Sequence, residues 1–501
     1  MTGVLALVAA SAACGGGGAS AAHTLTMLAV QDSTTLDPFR ANTTALVDGP
    51  RLNALYDPLF YLDTTTGKAT PHLGESLSSA DGGATWTMKL RPDVRFSDGT
   101  PFDAAAVKLN YDTHAKPETR SLQRNAAASL RTAVVDPLTL SITVVGAPNP
   151  NLDRIIATNL PYIEAPSAIA QGPDTYGSKP IGAGPFTLDT WTRGSEQTFV
   201  KNKDYWQKHK GLPKLDRLVI RTVPDIEQQY STVKSGQADL FPSSDPRLLA
   251  RAGKELKAVE APVGGGQMVQ FSLARAPFDD PRARRAIALS LDAGTICRVL
   301  DNGCTPATGL FSPAGPFFDA GVTQPAPDRA EAQRLFDALA AEGKKVDFTF
   351  LIPRNPSAAK AAETIQSRLR EFRNVAMTID APDVGTYLTK YAVQKDFQAM
   401  LFQLTFVDPE PILFNFYTST SAQNATGWKN PEADRALAGG RQATDPAVRR
   451  QAYADLQRAL VADLPIWVYT RNPLGLIHTT RVTDLRYYGE ALPFLDRVDV
   501  G

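Results

Sequence analysis

From Gly264 to about residue 475, strand and helix alternate with little interruption, and no other feature of the 501-residue chain limits its fold so much. The glycine triplet Gly264 to Gly266 precedes the strand around "QMVQFSL". Helical spacing follows over residues 281–300, then a Pro-rich loop from Cys304 to Pro327 and a helix over 328–343. Strands "DFTFLI", "AMTIDA" and "FQAMLFQL" then take turns with helices over 357–372 and 383–393, and a long helix runs over 445–463. Such an order predicts an α/β lobe with a largely parallel sheet. The apolar "LPIWVYTRNPLGLIHTT" leads the chain back out, and the last residues, too short for a lobe, return to the first one.

A chain of this length exceeds what one hydrophobic core supports. "HTLTMLAVQ" is an alternating strand, and "KLDRLVIRTV" with "DIEQQYSTVKSGQADL" continues a first α/β layer. Between them, short strands and turns form an α+β insert. Within it Trp86, Met88 and Leu90 alternate with polar residues, Asp98-Gly99 supplies a turn, and Asp103 stands where it caps the next helix. The expected division is a leader and tether over 1–22, a first lobe from 23–44, 180–263 and 476–501, an extra α+β subdomain over 45–179, and a second lobe over 264–475. Two lobes crossed by two chain segments make a hinged clamshell with a cleft between them.

Lys plus Arg and Asp plus Glu number 52 each, so the net charge is zero and no basic tract suits a polynucleotide. The N-terminal "MTGVLALVAASAACGGGGASAAH" has a short apolar run, small residues, Cys14 and a Gly/Ser tether, the build of a secretory signal followed by a lipid-modified cysteine; a plain cleaved signal is the alternative. An exported protein would join the remaining thiols, Cys297 and Cys304, or leave them as two small buried hydrophobes.

No nucleophile elbow, phosphate loop, zinc helix or spaced cysteine pair occurs. In "IGAGPF" no third glycine arrives for a dinucleotide loop, so its glycines read as turn residues. The five histidines, His23, His72, His114, His209 and His478, lack ligand spacing, and no metal or cofactor is expected. Caps and turns explain Asp279-Asp280 and Asp408-Glu410 as well as chemistry does.

"TLDPFRANTTA", "LYDPLFYLDTTTGKATPHLGESLSSADGGATWTMKLRPDVRFSDGTPFDAAAVKLNYD", "GAGPFTLDTW", "VKNKDYW", "VKSGQADLF", "APFDDPRARRAIALSLD" and "GWKNPEADRAL" resemble, in this order, blocks of the family 5 extracellular solute-binding proteins of ABC importers. The resemblance spans nearly everything after the tether. It implies a two-lobed periplasmic-binding-protein clamshell of class II type, with an extra α+β subdomain in the first lobe. The implied function is capture of a peptide-like, opine-like or glycoside solute, delivered to ABC permease subunits without chemistry. A nickel-type metal-chelate receptor is the alternative, and an exported hydrolase a more distant one. The receptor is expected to be a monomer at the outer face of the cell membrane or in the periplasm, held by lipid on Cys14.

Peptide-binding members place an aspartate for the ligand's amino group shortly before a "DP" pair. In "MLFQLTFVDPEPILFNF" that place, ahead of Asp408-Pro409, holds Thr405, so the amine clamp is read as missing. The loop "FLIPRNPSAAK" resembles one that supplies an arginine for the ligand's carboxylate, making Arg354 the expected anion clamp. By position in the family, Met268, Gln270, Phe402, Gln403, Asp408, Trp428, Tyr469 and Arg471 are the other expected ligand contacts.

Overall fold

A computed structural model of the chain describes residues 23–501 except 65, 173–176, 178, 301–302 and the side chain at 384. Cys14 lies outside the described residues.

A seven-stranded mixed sheet runs in the order Lys257–Glu260, Gly475–His478, Leu240–Ser243, Thr24–Ala29, Arg217–Thr222, Glu196–Lys201, Phe186–Thr192. Thr24–Ala29 is parallel to both of its neighbours. Its alternating Leu25 and Met27 are buried with Leu218, Ile220 and Leu240 in one core.

The second lobe's sheet has five strands, in the order Val375–Asp380, Val346–Leu351, Ala399–Phe406, Gly264–Phe271, Ile466–Thr470. The first three are mutually parallel, the helix Pro356–Leu369 making one of the crossovers that parallel pairing requires. Gly264–Phe271 runs antiparallel to both neighbours, which corrects the largely parallel sheet expected from the sequence. The reason is traffic between the sheets: Gly264–Phe271 brings the chain in and Ile466–Thr470 takes it out, so the two must run oppositely.

The insert contains a four-stranded antiparallel sheet, Gly74–Ser78, Thr85–Leu90, Thr139–Val144, Leu130–Asp136. Trp86, Met88 and Leu90 are buried on one face while Thr87 and Lys89 are exposed on the other. Asp103 accepts the Ala106 N–H at 2.8 Å and starts the helix Ala104–Ala115, as its position predicts. Farther on, the helix Leu152–Asn159 faces the second lobe.

Residues 281–300 form two helices rather than one, Pro281–Ser290 and Ala293–Leu300. Asp292 accepts the Gly294 and Thr295 N–H groups and restarts the helix. Helices Ile412–Tyr417 and Pro431–Gln442 were not evident from periodicity. Cys297 and Cys304 are joined by a disulfide. It ties the end of Ala293–Leu300 to the segment whose Thr305 carbonyl accepts the Arg471 N–H at 2.9 Å, beside the outgoing strand.

Candidate functional site

At its end the strand Ala399–Phe406 reaches the first lobe, and a turn leads into the helix Ile412–Tyr417, Glu410 N–H donating to the Asp408 side chain at 2.9 Å. This turn, the helix Leu152–Asn159 and the loops at 43–44 and 488–492 enclose a cavity of about 290 Å³ between the lobes. That is near the lower end of small-molecule pockets, about 300 Å³. Phe406, Ile412, Phe416 and Leu492 give it apolar walls, and Thr405, Asn159 and Asn415 give neutral polar ones. Its charged lining is Asp408, Glu410 and Glu490, with no lysine or arginine among the described residues.

Asp408 is buried between two guanidinium groups. Arg449 donates to it at 2.6 Å, and Arg154 of the helix Leu152–Asn159 reaches it across the cleft at 3.2 Å. Asn151 reinforces the crossing by donating to the Arg441 and Ala443 carbonyls. Glu410 accepts Arg441 Nε at 2.7 Å through one oxygen, while its other oxygen is buried with no hydrogen-bond partner among the described residues. Burial raises the Glu410 carboxyl, opposed by Arg441. Glu490, between the short strands Tyr487–Tyr488 and Leu492–Pro493, has no hydrogen-bond or ion-pair partner among the described residues, and burial alone lifts its carboxyl to about 7.

Of the expected contacts, Thr405 and Asp408 line this cavity. Asp408 is engaged by its arginines and stands as part of the wall and the interlobe contact. Phe402 and Gln403 line a second, more open hollow of about 460 Å³ with Gln267, Tyr387 and Tyr391. The Phe402 ring, 5.7 Å from that of Phe416, stands between the two spaces. Arg354 lies outside the interlobe cavity: it is exposed beside the second hollow, whose edge includes Pro353 and Asn355, and donates to the Ala381 carbonyl at 3.0 Å. Tyr469 is buried and donates to Gln267 at 2.7 Å. Arg471 donates to the Gly265 carbonyl at 3.3 Å, its other terminal nitrogen is buried without a partner, and desolvation lowers the guanidinium to about 10.

Met268, Gln270 and Trp428 belong to the lobe interior instead of the cleft. Met268 packs under the Tyr417 hydroxyl, Gln270 donates to the Met400 sulfur, and the Trp428 indole N–H is taken by Asp463 at 2.7 Å. Sequence reasoning missed Tyr162, Tyr488 and Glu490 altogether; no periodicity marks them, and the pair "YYGE" sits in a tail read only as returning to the first lobe.

Replacing Arg154 with alanine removes an interlobe contact without touching the cavity's apolar walls. The expected result is a shift toward the open state and about fivefold to tenfold weaker solute binding, about 1–1.4 kcal/mol. Calorimetric titration checks it, and unchanged affinity would show that the pair does not bias closure.

Two lobes on separate sheets, an added antiparallel subdomain and a cavity walled from both sides define a clamshell solute-binding receptor. A family model, bacterial extracellular solute-binding proteins, family 5 (middle), matches residues 68–424, and the chain belongs to that family. Glutathione-binding protein GsiB of Salmonella paratyphi A is 28% identical over 453 residues, covering 87% of this chain and 86% of that protein. NikA from Brucella suis in complex with Fe(III)-EDTA superposes with a TM-score of 0.80 at 22% identity, covering 94% of this chain and 99% of NikA. AgaA of A. tumefaciens R10, in complex with agropinic acid, gives a TM-score of 0.76 at 23% identity, covering 95% and 99%. The chain is thus a substrate-binding receptor of an ABC importer, with a small-molecule solute and a permease as partners. Its relatives are solute-binding proteins rather than enzymes. No helix among the described residues is long and apolar enough to cross a membrane.

Proposed function

We propose that the solute is peptide-like, about the size of a dipeptide or tripeptide, with its body in the interlobe cavity and its acidic end toward Arg354 beside the second hollow. The observation that carries this reading is the cavity itself: about 290 Å³, walled by both lobes and free of basic lining among the described residues. A solute touching both walls is bound more tightly by the closed state, which is what shifts a hinge equilibrium. The name of the GsiB relatives, glutathione-binding protein, fits a short peptide with a free amine and carboxylates. The reading takes the protein as a binder that makes and breaks no bond. Acidic groups in the cavity also disfavour an anionic metal chelate.

A thermal-shift screen of dipeptides, tripeptides, glutathione, opines, glycosides and nickel chelates tests this. Short peptides should raise the melting temperature, since a solute at about 100 times its Kd adds about 2.7 kcal/mol to the native state. Stabilisation by metal chelates alone, or turnover of a peptide, would overturn the reading.

We also take the protein to be a monomer tethered to the outer face of the membrane by lipid on Cys14; the apolar run, Cys14 and the Gly/Ser tether support this. Cys14→Ser should move the protein from the membrane fraction to the soluble exported fraction. Retention of that variant in the membrane fraction would contradict lipid attachment at this residue.

A further inference from the structure

The charges around the cavity balance except at one place. Arg449 and Arg154 serve Asp408, Arg154 also meets Asp153 at 3.7 Å, and Arg441 serves Glu410. Three guanidinium groups thus face three carboxylates. Glu490 is left over. It enters from the opposite side, next to Ala491, which packs in the core of the seven-stranded sheet. The remaining titratable groups of the lining are hydroxyls: Tyr488 donates to Asn53, and Tyr162 lies 3.4 Å from the Tyr488 hydroxyl.

We propose that Glu490 and the unpartnered oxygen of Glu410 clamp a cationic nitrogen of the solute, a primary ammonium, with one carboxylate from each lobe. Both groups line the one cavity, and the Glu410 oxygen is buried with nothing to accept from. A buried acceptor without a donor is costly, and an ammonium brings three donors. It also supplies the positive charge that Glu490 lacks. Thr405, a neutral wall residue of the same cavity, brings no charge to a cation, which leaves the two carboxylates to hold it. Because the two carboxylates belong to different lobes, the ammonium favours the closed state.

Burial holds the free Glu490 carboxyl at about 7, so below neutrality it carries a proton that the ammonium must displace. Affinity should therefore fall on acidification, approaching tenfold per pH unit below 7. Glu410 faces the same space, and burial raises its carboxyl against the pull of Arg441, so its protonation weakens the clamp in the same direction; Tyr162 and Tyr488 stay neutral throughout this range.

This inference rests on the interlobe cavity being the solute site for a peptide-like molecule, and the test separates the two. Calorimetry is run with Ala-Ala, Ala-Ala-Ala and glutathione beside their N-acetyl counterparts, on the wild type and on Glu490→Gln. Free amines should bind the wild type at least about tenfold more tightly than the acetylated forms. Glu490→Gln should bring the two to within about twofold and flatten the pH dependence between 5 and 7. Without solute, at pH 8, the variant should melt no lower than the wild type, because it loses a part-buried charge that has no partner among the described residues. Acetylated probes binding the wild type equally well, or Glu490→Gln leaving the discrimination unchanged, would overturn the clamp and leave the receptor reading standing. Should none of the probes bind the wild type, the peptide-like reading fails and the clamp fails with it.

Discussion

Arg449→Leu is expected to lower the free energy of unfolding of the second lobe by about 3–5 kcal/mol, because it strands a buried carboxylate. Arg449 lies on the helix Pro446–Asp463, buried, and donates to Asp408 at 2.6 Å and to the Gly440 carbonyl at 3.1 Å. Its guanidinium also sits 5.0 Å from the Phe317 ring and 5.3 Å from the Tyr453 ring. Burial opposes the charged form, yet Asp408 raises Arg449 above its ordinary value. With Arg449 gone, Asp408 keeps one cationic partner among the described residues, Arg154 at 3.2 Å on the cleft side, besides the Glu410 N–H. The turn that carries Thr405 to Glu410 then loses its anchor, so solute affinity should fall together with stability. Urea unfolding resolved by lobe measures the first effect. The double variant Arg449→Leu with Asp408→Leu should recover part of the loss, since replacing both partners of a buried pair costs less than breaking it. A loss below about 1 kcal/mol for the single variant would mean that Arg154 alone suffices.

The second large effect belongs to the hinge-side start of the incoming strand. Gly265 has φ +92°, and a Cβ there would lie 2.1 Å from the Leu404 carbonyl oxygen. At Gly266, with φ +147°, it would lie 2.0 Å from the Thr470 oxygen. Both obstacles are backbone of neighbouring strands, which cannot step aside as a flexible side chain would. Gly265→Ala is therefore expected to cost about 2–4 kcal/mol. Gly265 is the register partner of Thr405, so the same change displaces the cavity wall and should abolish measurable solute binding even where the protein still folds. Circular dichroism melting and calorimetry read the two consequences separately. A variant that melts and binds as the wild type does would show that the strand accommodates a methyl group here.

Elements with one buried face were legible from sequence, as Thr85–Leu90 shows: Trp86, Met88 and Leu90 go inward because the sheet has a wet side. The cap at Asp103 was legible for a local reason, since the bond to Ala106 spans three residues. Gly264–Phe271 was harder. Seven of its eight residues are buried, all but Gln267, so alternation could not tell Met268 in the core from a cleft residue. Sheet direction was misread because the crossing strands have no helical connection to reveal it. The family blocks pointed to the right strand end at Thr405 but not to the site's charge, because Glu490 arrives from a tail some eighty residues away, placed by tertiary packing of Ala491 and Leu495. Arg354 was chosen by loop resemblance, and the structure gives its guanidinium the Ala381 carbonyl as a partner.

The most direct test of the account is hydrogen–deuterium exchange of the full chain with and without the solute that stabilises it best. Binding between the lobes predicts slower exchange in three separated stretches at once, residues 157–162 and 488–492 on one side of the cavity and 405–416 on the other. Protection confined to one lobe, or to the hollow lined by Tyr387 and Tyr391, would contradict solute capture in the interlobe cavity.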